Sequence, residues 1–451
     1  MIKVVGGYIL DSSMTRDSKR RTVDGLAIAC GTGCDHVRQF GRPPTAIPYQ
    51  QNNTPPAMFD SRLESTAPSR KSPRLDPRLS RREGHMMRYH GVDLHKKYVT
   101  ISVRNEEGTE EKFVRAQTDI QGYVTSLGSE DAVVLEASAG AMYWAEKIQS
   151  QGASCVVIDA YRFRIIRDSW QKTDKRDAAN LSLALWLASR SGEMKLPEVW
   201  QPGAVVRELR RLFGLYELLN KQLRQLKNEI HGVLLDNGVR DRALGKRLAD
   251  NPAKAEEFLK TVELSAASRM CIQTSLALLA SVEEQKKALA REICQAGRPL
   301  EAEVKLLISI RGVTPLLALV FLSEVGDITR FRSARRLHSY LGVVPTVRSS
   351  GGVTHNGRIN RRSRGFTRTL FTQAVIHLAD SSLVLTHFYR ELVARKGYGR
   401  ARIALLRKIF SMMRRMLLAG EPYRWVEPKL YERKLSHYSK EIKNGEKPHA
   451  A

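Results

Sequence analysis

Four carboxylates sit where acid–metal chemistry could be built. Asp93 lies within the run Gly91-Val92-Asp93-Leu94-His95, and Glu136 closes Val134-Leu135-Glu136 before Ala137-Ser138. Asp174 and Asp177 stand three apart in Lys172-Thr173-Asp174-Lys175-Arg176-Asp177-Ala178, a spacing that puts two side chains on one face of a helix start. A carboxylate inside an apolar strand is costly unless it is paired or holds a cation, and four of them together repel without one. Two Mg²⁺ (or Mn²⁺) ions about 4 Å apart answer both requirements and suit phosphodiester chemistry. Lys172, Lys175 and Arg176 are the competing ion-pair partners for the two aspartates, and Asp159 and Asp168 are lower-ranked alternatives for the acidic set.

A second group is the basic serine stretch Arg348-Ser349-Ser350-Gly351-Gly352, followed by Arg358, Arg361, Arg362, Arg364 and Arg368. Alone it describes a solvated surface loop as well as a reactive hydroxyl in a nucleic-acid groove. Beside the acidic set it takes on chemical meaning, because serine is a weak nucleophile at neutral pH and needs an activator. One hydroxyl of the pair Ser349-Ser350 is then a candidate nucleophile, and Arg348, Arg358, Arg361, Arg362, Arg364 and Arg368 are candidate contacts to a nucleic-acid backbone.

The charge distribution supports a polyanionic partner. The 451-residue chain carries a formal net charge of +27, and residues 330–420 hold 19 Lys and Arg against only Asp380 and Glu391. Such a field fits phosphate neutralisation better than solubility alone. At 42% hydrophobic residues the chain can bury ordinary cores, which excludes disorder throughout. No apolar run approaches the length of a membrane helix and the N-terminus lacks a signal-peptide layout, so a cytoplasmic, nucleoid-associated protein is expected. Five scattered cysteines argue against a disulfide framework. Cys30-Gly-Thr-Gly-Cys34 with His36 lacks the second ligand pair of a zinc site.

These groups need elements to position them. Residues 1–86, with eight prolines before residue 86, read as a flexible leader. From Met87 the pattern predicts three antiparallel strands (89–94, 98–104, 112–116), a helix (119–127), a strand (132–137), a helix (142–151) and a strand (154–158). That order is the layout of a ribonuclease-H-like α/β domain over 87–195, in which the first and fourth strands are neighbours and bring Asp93 to Glu136. A helix over 176–188 follows. Leu212, Leu215, Leu218, Leu219, Leu223, Leu226, Ile230 and Leu234 recur at three- and four-residue spacing, predicting a long helix in an all-α region (196–300). Its stripe is either a seam for self-association or intramolecular core. Residues 301–425 form a mainly helical domain carrying the serine loop. Within it, Arg311-Gly312-Val313-Thr314 before a helix over 315–325 suggests a helix-hairpin-helix, whose helix N-terminus offers N–H groups to phosphate; a plain αα-turn is the alternative. Helices are expected over 367–379, 383–396 and 400–419, and a frayed tail over 426–451.

With both groups located, the chain resembles transposases of the insertion-sequence one-ten family. The resemblance covers about residues 87–425. It is carried by Gly91-Val92-Asp93-Leu94-His95-Lys96, Leu135-Glu136-Ala137-Ser138, Lys172 to Ala178, Ile310-Arg311-Gly312-Val313, Phe331 to Tyr340 with Leu341-Gly342-Val343-Val344-Pro345, and Ser349-Ser350-Gly351-Gly352 followed by Gly357-Arg358-Ile359. It implies an N-terminal RuvC-like DEDD domain whose metal-binding tetrad is Asp93, Glu136, Asp174 and Asp177, and a C-terminal transposase domain whose Ser350 becomes covalently joined to DNA. It further implies guidance by a structured non-coding RNA, and a homo-oligomer in which the serine of one protomer works beside the acidic domain of another. The chain departs from the family pattern at Arg361, Arg362, Ser363 and Arg364, where a lysine, a glycine and an asparagine or aspartate are common. Two other functions fit the same residues: a junction-resolving nuclease that activates water on the acidic set, and an inactivated transposase that only binds nucleic acid.

Overall fold

The computed structural model describes residues 87–117, 120–159, 162–163, 173–191, 194–240, 257–359, 363 and 365–445. The expected leader, the Cys30–Cys34 pair, Asp168, Lys172, Arg361, Arg362 and Arg364 lie outside the described residues.

Strands β1 (Arg88–Leu94), β2 (Tyr98–Arg104) and β3 (Glu110–Gln117) form an antiparallel meander. Helix α1 (Ile120–Thr125), β4 (Asp131–Glu136), α2 (Ala141–Ser150) and β5 (Ser154–Ile158) follow. Short turns can join only antiparallel neighbours, whereas the helical crossovers return the chain in parallel. β4 therefore pairs parallel with both β1 and β5, and the order is β3-β2-β1-β4-β5. The expected strands and helices match to within a few residues.

The sheet is covered on both faces, as the unbroken burial of β1 requires. Val92, Val133, Leu135 and Val157 pack with Ile120, Val124, Ala141, Ala145 and Ile148 of α1 and α2. On the other face, Tyr89, Ala132, Val134 and Ile158 pack with Leu181, Ala184 and Leu185 of α3 (Asp174–Ser191). Helix α3 crosses β1 at Gly91. A Cβ there would lie 2.8 Å from Leu181 Cβ and press on the Ala178 carbonyl oxygen and the Ser182 amide nitrogen, so only glycine admits this approach.

One buried polar cluster at the start of β1 and β4 is structural. Asp131 accepts from Arg88 Nε at 2.8 Å, Arg88 Nη2 at 3.0 Å and the Gly128 N–H at 2.8 Å, and lies 2.9 Å from His90 Nε2. Burial pushes its carboxyl pKa up, but these hydrogen bonds outweigh burial and hold it below its usual value.

Residues 196–199 run along β5, with the Val199 N–H donating to the Val157 oxygen at 2.7 Å and a bridge between Ile158 and Glu198. Trp200 then reaches the helical region. Its ring lies against Gly326, which has a φ of 59°, and 4.4 Å from the Arg330 guanidinium.

The mostly helical remainder begins with α4 (Ala204–Asp236) and α5 (Ala266–Ala296), which pack as an antiparallel hairpin. Leu209, Phe213, Tyr216 and Leu219 enter the main helical core with Leu289 and Ile293. Leu223, Ile230 and Leu234 form a smaller core with Ile272 and Leu279. The expected leucine stripe is thus divided. Leu212, Leu219, Leu223, Leu226, Ile230 and Leu234 have intramolecular partners, while Leu215 and Leu218 remain about half exposed at 47% and 49%.

α6 (Glu301–Ile308) and α7 (Pro315–Val325) follow. Leu317 to Val325 are buried without interruption, apolar up to Ser323 and Glu324, so α7 runs through the core. The helix-hairpin-helix expectation meets a well-satisfied turn: Pro315 has no N–H, Thr314 Oγ1 accepts from Leu317 N at 3.2 Å, and Gly312 abuts the His377 and Leu378 backbone. That leaves little N–H surface for a phosphate and favours the plain αα-turn.

α8 (Ala334–Tyr340), the hairpin strands β6 (Pro345–Ser350) and β7 (Val353–Ile359), α9 (Phe366–Gln373), α10 (Val375–Ala379) and α11 (Leu383–Ala419) complete this region. Gly397, with a φ of 74°, interrupts α11 where two helices are expected. The tail is not frayed over its described length. Pro428–Gly445 is a helix, α12, because Tyr431, Leu435, Tyr438 and Ile442 form an apolar stripe that joins the main core. Among the described residues no helix is long and apolar enough to cross a membrane.

Candidate active site

Strand alternation and the parallel pairing of β1 with β4 settle where the acidic residues stand. Val92 lies opposite Leu135 in register, so Asp93 and Glu136, one position on, are neighbours on the sheet face that α3 covers. Helix α3 begins at Asp174, with Asp174 and Asp177 in its first turn, where carboxylates also favour the helix dipole. Gly91, two residues before Asp93 on the same face, lets the second and third turns of α3 lie directly on the strand. Asp93 and Asp174 are thereby brought together where β1 ends and α3 starts; Glu136, at the neighbouring end of β4, and Asp177, one turn into α3, flank them but do not share the group of mutually close donor atoms.

The corner is tight at its centre. Asp93 and Asp177 are 8% and 5% exposed, whereas Asp174 is half-buried. His95 Nε2 lies 3.0 Å from Asp93 Oδ2 and 3.4 Å from Asp174 Oδ1. Tyr98 Oη donates to Asp174 Oδ2 at 2.7 Å. Donor atoms of Asp93, His95 and Asp174 all lie within 4.8 Å of one another. A nearly buried carboxylate, a second one and an imidazole nitrogen at these separations make a donor set that fits a divalent cation.

His95 and Tyr98 are functional candidates that sequence reasoning missed. A signal for His95 existed, since it follows Asp93 by two residues and strand alternation carries it toward the same side. Tyr98 could be placed only by the β1–β2 turn, closed by the His95 N–H donating to the Tyr98 oxygen at 3.0 Å. Asp174 has His95 and Tyr98 as partners among the described residues.

Ser350 stands on a different sheet. β6 and β7 form a two-stranded hairpin in which Ser349 pairs with Thr354 and Ser350 with Val353. Gly351 and Gly352 make the two-residue turn with φ of 56° and 77°; both central residues need φ > 0 in a turn that matches strand twist. The expected loop is thus an ordered hairpin that presents Ser350 beside its tip. Most of its described side chains are exposed, including Ser350, Val347, Val353 and Arg358. Arg348 pairs with His355 in register, and its side chain lies outside the described residues. Arg368, expected to meet nucleic acid, donates to the Gly342 oxygen at 2.7 Å and so pins the segment leading into the hairpin.

Comparison with known proteins agrees with this two-part layout. Residues 90–237 match the transposase family model of the DEDD IS110 type, and residues 304–390 match "Transposase IS116/IS110/IS902 family". The chain is 26% identical over 384 residues to the transposase for insertion sequence element IS1111A of Coxiella burnetii, covering 78% of this chain and 99% of that protein. It is 25% identical over 309 residues to a probable family 20 transposase of Pseudomonas aeruginosa, covering 65% of this chain and 85% of that protein. A shorter match, 32% identical over 148 residues, is to an insertion element IS110 protein of Streptomyces coelicolor, covering 32% of this chain and 36% of that protein. The acid-bearing sheet falls in the first matched region and the serine hairpin in the second, and the chain belongs to the IS110 family of insertion-sequence DNA transposases.

Proposed function

We propose that this transposase cuts and rejoins DNA through a covalent link to Ser350, with Asp93, Glu136, Asp174 and Asp177 as a tetrad holding Mg²⁺ or Mn²⁺. The observation that supports this reading is the meeting of Asp93 and Asp174 donor atoms where β1 ends and α3 starts, with Glu136 closing the neighbouring strand β4 and Asp177 nearly buried in the first turn of α3. The sheet order β3-β2-β1-β4-β5, a meander continued by parallel crossovers, supports a ribonuclease-H-like, RuvC-like fold for this domain.

A divalent cation supplies neutralisation of the phosphate and eases deprotonation of the attacking hydroxyl. The remaining work falls to the chain. Asp93 and Asp174 supply donor atoms, and Tyr98 Oη fixes one oxygen of Asp174. Ser350 Oγ forms the new bond to phosphorus, the bond from phosphorus to the leaving sugar oxygen breaks, and the serine proton passes to that oxygen. The exposed hairpin suits this role because its tip can enter a groove while its base stays fixed by Val343 and Arg368. The basic field over residues 330–420 supports binding of DNA and of a structured guide RNA. The Ser350 hairpin and the acidic corner belong to separate sheets, and in this reading they come from different copies of a homo-oligomer.

The test is adduct trapping on a cognate DNA substrate. Ser350→Ala should abolish the covalent protein–DNA adduct while Ser349→Ala retains it, and Asp93→Asn should abolish cleavage while DNA binding persists. Cleavage that survives Ser350→Ala with no adduct in the parent protein replaces this mechanism with metal-activated water in a junction-resolving nuclease. An Asp93→Asn variant that retains transposition overturns the tetrad.

A further inference from the structure

We propose that His95 is a nitrogen ligand of the cation held by Asp93 and Asp174, and that it biases this site toward transition-metal dications over Mg²⁺. The inference rests on the metal-binding reading above and adds to it the identity of a ligand and the selectivity that follows.

The geometry is that of neighbouring ligands on one ion. An octahedral cation with bonds of about 2.1 Å has adjacent ligand atoms about 3.0 Å apart. His95 Nε2 stands 3.0 Å from Asp93 Oδ2 and 3.4 Å from Asp174 Oδ1, so all three atoms can face a common ion with small adjustments. The ring is held for this purpose. It packs at a 37° tilt against Tyr98 with centroids 4.6 Å apart, and Tyr98 Oη in turn donates to Asp174 at 2.7 Å. The main chain of His95 is fixed by the turn to Tyr98. With 36% of its side chain exposed, His95 is the more open member of the pair it makes with the nearly buried Asp93.

The chemistry follows from ligand type. Mg²⁺ is a hard cation that takes oxygen ligands and keeps its waters, whereas imidazole nitrogen strengthens binding of first-row transition metals. An all-carboxylate tetrad has no such preference built in. One nitrogen at its open edge supplies it.

The same distances also fit a hydrogen-bonded imidazole that blocks the cation, and the two roles predict opposite effects of removing the ring. The experiment compares full-length parent protein, His95→Ser and Asp93→Asn. Mn²⁺ binding is measured by electron paramagnetic resonance, Mg²⁺ binding by competition, and nitrogen ligation by electron spin-echo modulation of the Mn²⁺-loaded protein. The parent should show ¹⁴N coupling. His95→Ser should lose it, weaken Mn²⁺ binding by about tenfold, and leave Mg²⁺ binding within about threefold. Equal changes for both metals, in either direction, or ¹⁴N coupling that persists in His95→Ser, overturn the proposal. If Asp93→Asn binds Mn²⁺ as the parent does, the underlying metal assignment fails as well, a result distinct from failure of His95 alone. A thermal melt checks that His95→Ser is folded.

Discussion

Gly91→Ala tests whether the acidic corner depends on how closely α3 crosses β1. The added methyl carbon would lie 2.8 Å from Leu181 Cβ and nearer still to the Ala178 carbonyl oxygen and the Ser182 amide nitrogen. Comfortable contacts between carbon atoms begin at about 3.5–4.0 Å, so the helix must retreat by about 1 Å. Two of the three obstructing atoms are backbone, and rotamer changes cannot relieve them. Overpacking of this kind costs about 1–3 kcal/mol, and the retreat carries Asp174 and Asp177 with the helix. A displacement of about 1 Å in a catalytic constellation can lower rate by about 100-fold. Urea unfolding should show a lower midpoint for Gly91→Ala, and Mn²⁺ affinity and DNA cleavage should fall further than the lost stability explains at low temperature, where the variant is folded. Parent-like midpoint, metal affinity and cleavage together would refute the argument that this close crossing builds the site.

Tyr98→Phe removes the hydroxyl that donates to Asp174 Oδ2 at 2.7 Å; a hydrogen bond to a charged group is worth about 1.5–3 kcal/mol, so Mn²⁺ titration should show affinity reduced by about tenfold or more with secondary structure unchanged by circular dichroism. Gly351→Val forces a β-branched residue to a φ of 56°, which costs about 1–2 kcal/mol locally; because the hairpin is exposed, adduct yield should fall while the global unfolding midpoint stays put. Lys434 donates to the Ile308 and Ile310 oxygens at 2.8 and 2.7 Å, and burial lowers its pKa from 10.5 to about 8. Between those values the unfolded chain binds more protons than the folded one, so this group's contribution to stability rises as pH climbs from about 8 toward 10.5 and is lost as pH falls through 8. Denaturation of the parent and Lys434→Met across that range should show the parent gaining relative to the variant as pH increases.

Much of the sheet was legible because β-branched runs and tight turns are local signals. The pairing of Asp93 with Glu136 followed from strand order alone, since a helical crossover makes β4 parallel to its neighbour. The serine stretch was harder. Its arginines and serines carry no apolar alternation, so strands β6 and β7 were hidden, although the consecutive glycines are themselves a hairpin-turn signal. The tail helix was hidden differently: Tyr431, Leu435, Tyr438 and Ile442 recur at helical spacing, but polar composition masked a stripe whose burial depends on the distant α5 and α6.

By itself the sequence determined the residue types available for chemistry, the strand-and-helix order that brings two carboxylates side by side, and the concentration of positive charge over residues 330–420. These are consequences of local pattern and composition. Only tertiary structure decided that His95 and Tyr98 join Asp93 and Asp174, that Arg368 braces the hairpin segment and that most of the leucine stripe is already satisfied within the chain. Each of those outcomes depends on which surfaces meet across long sequence separations, and packing, not local preference, sets that.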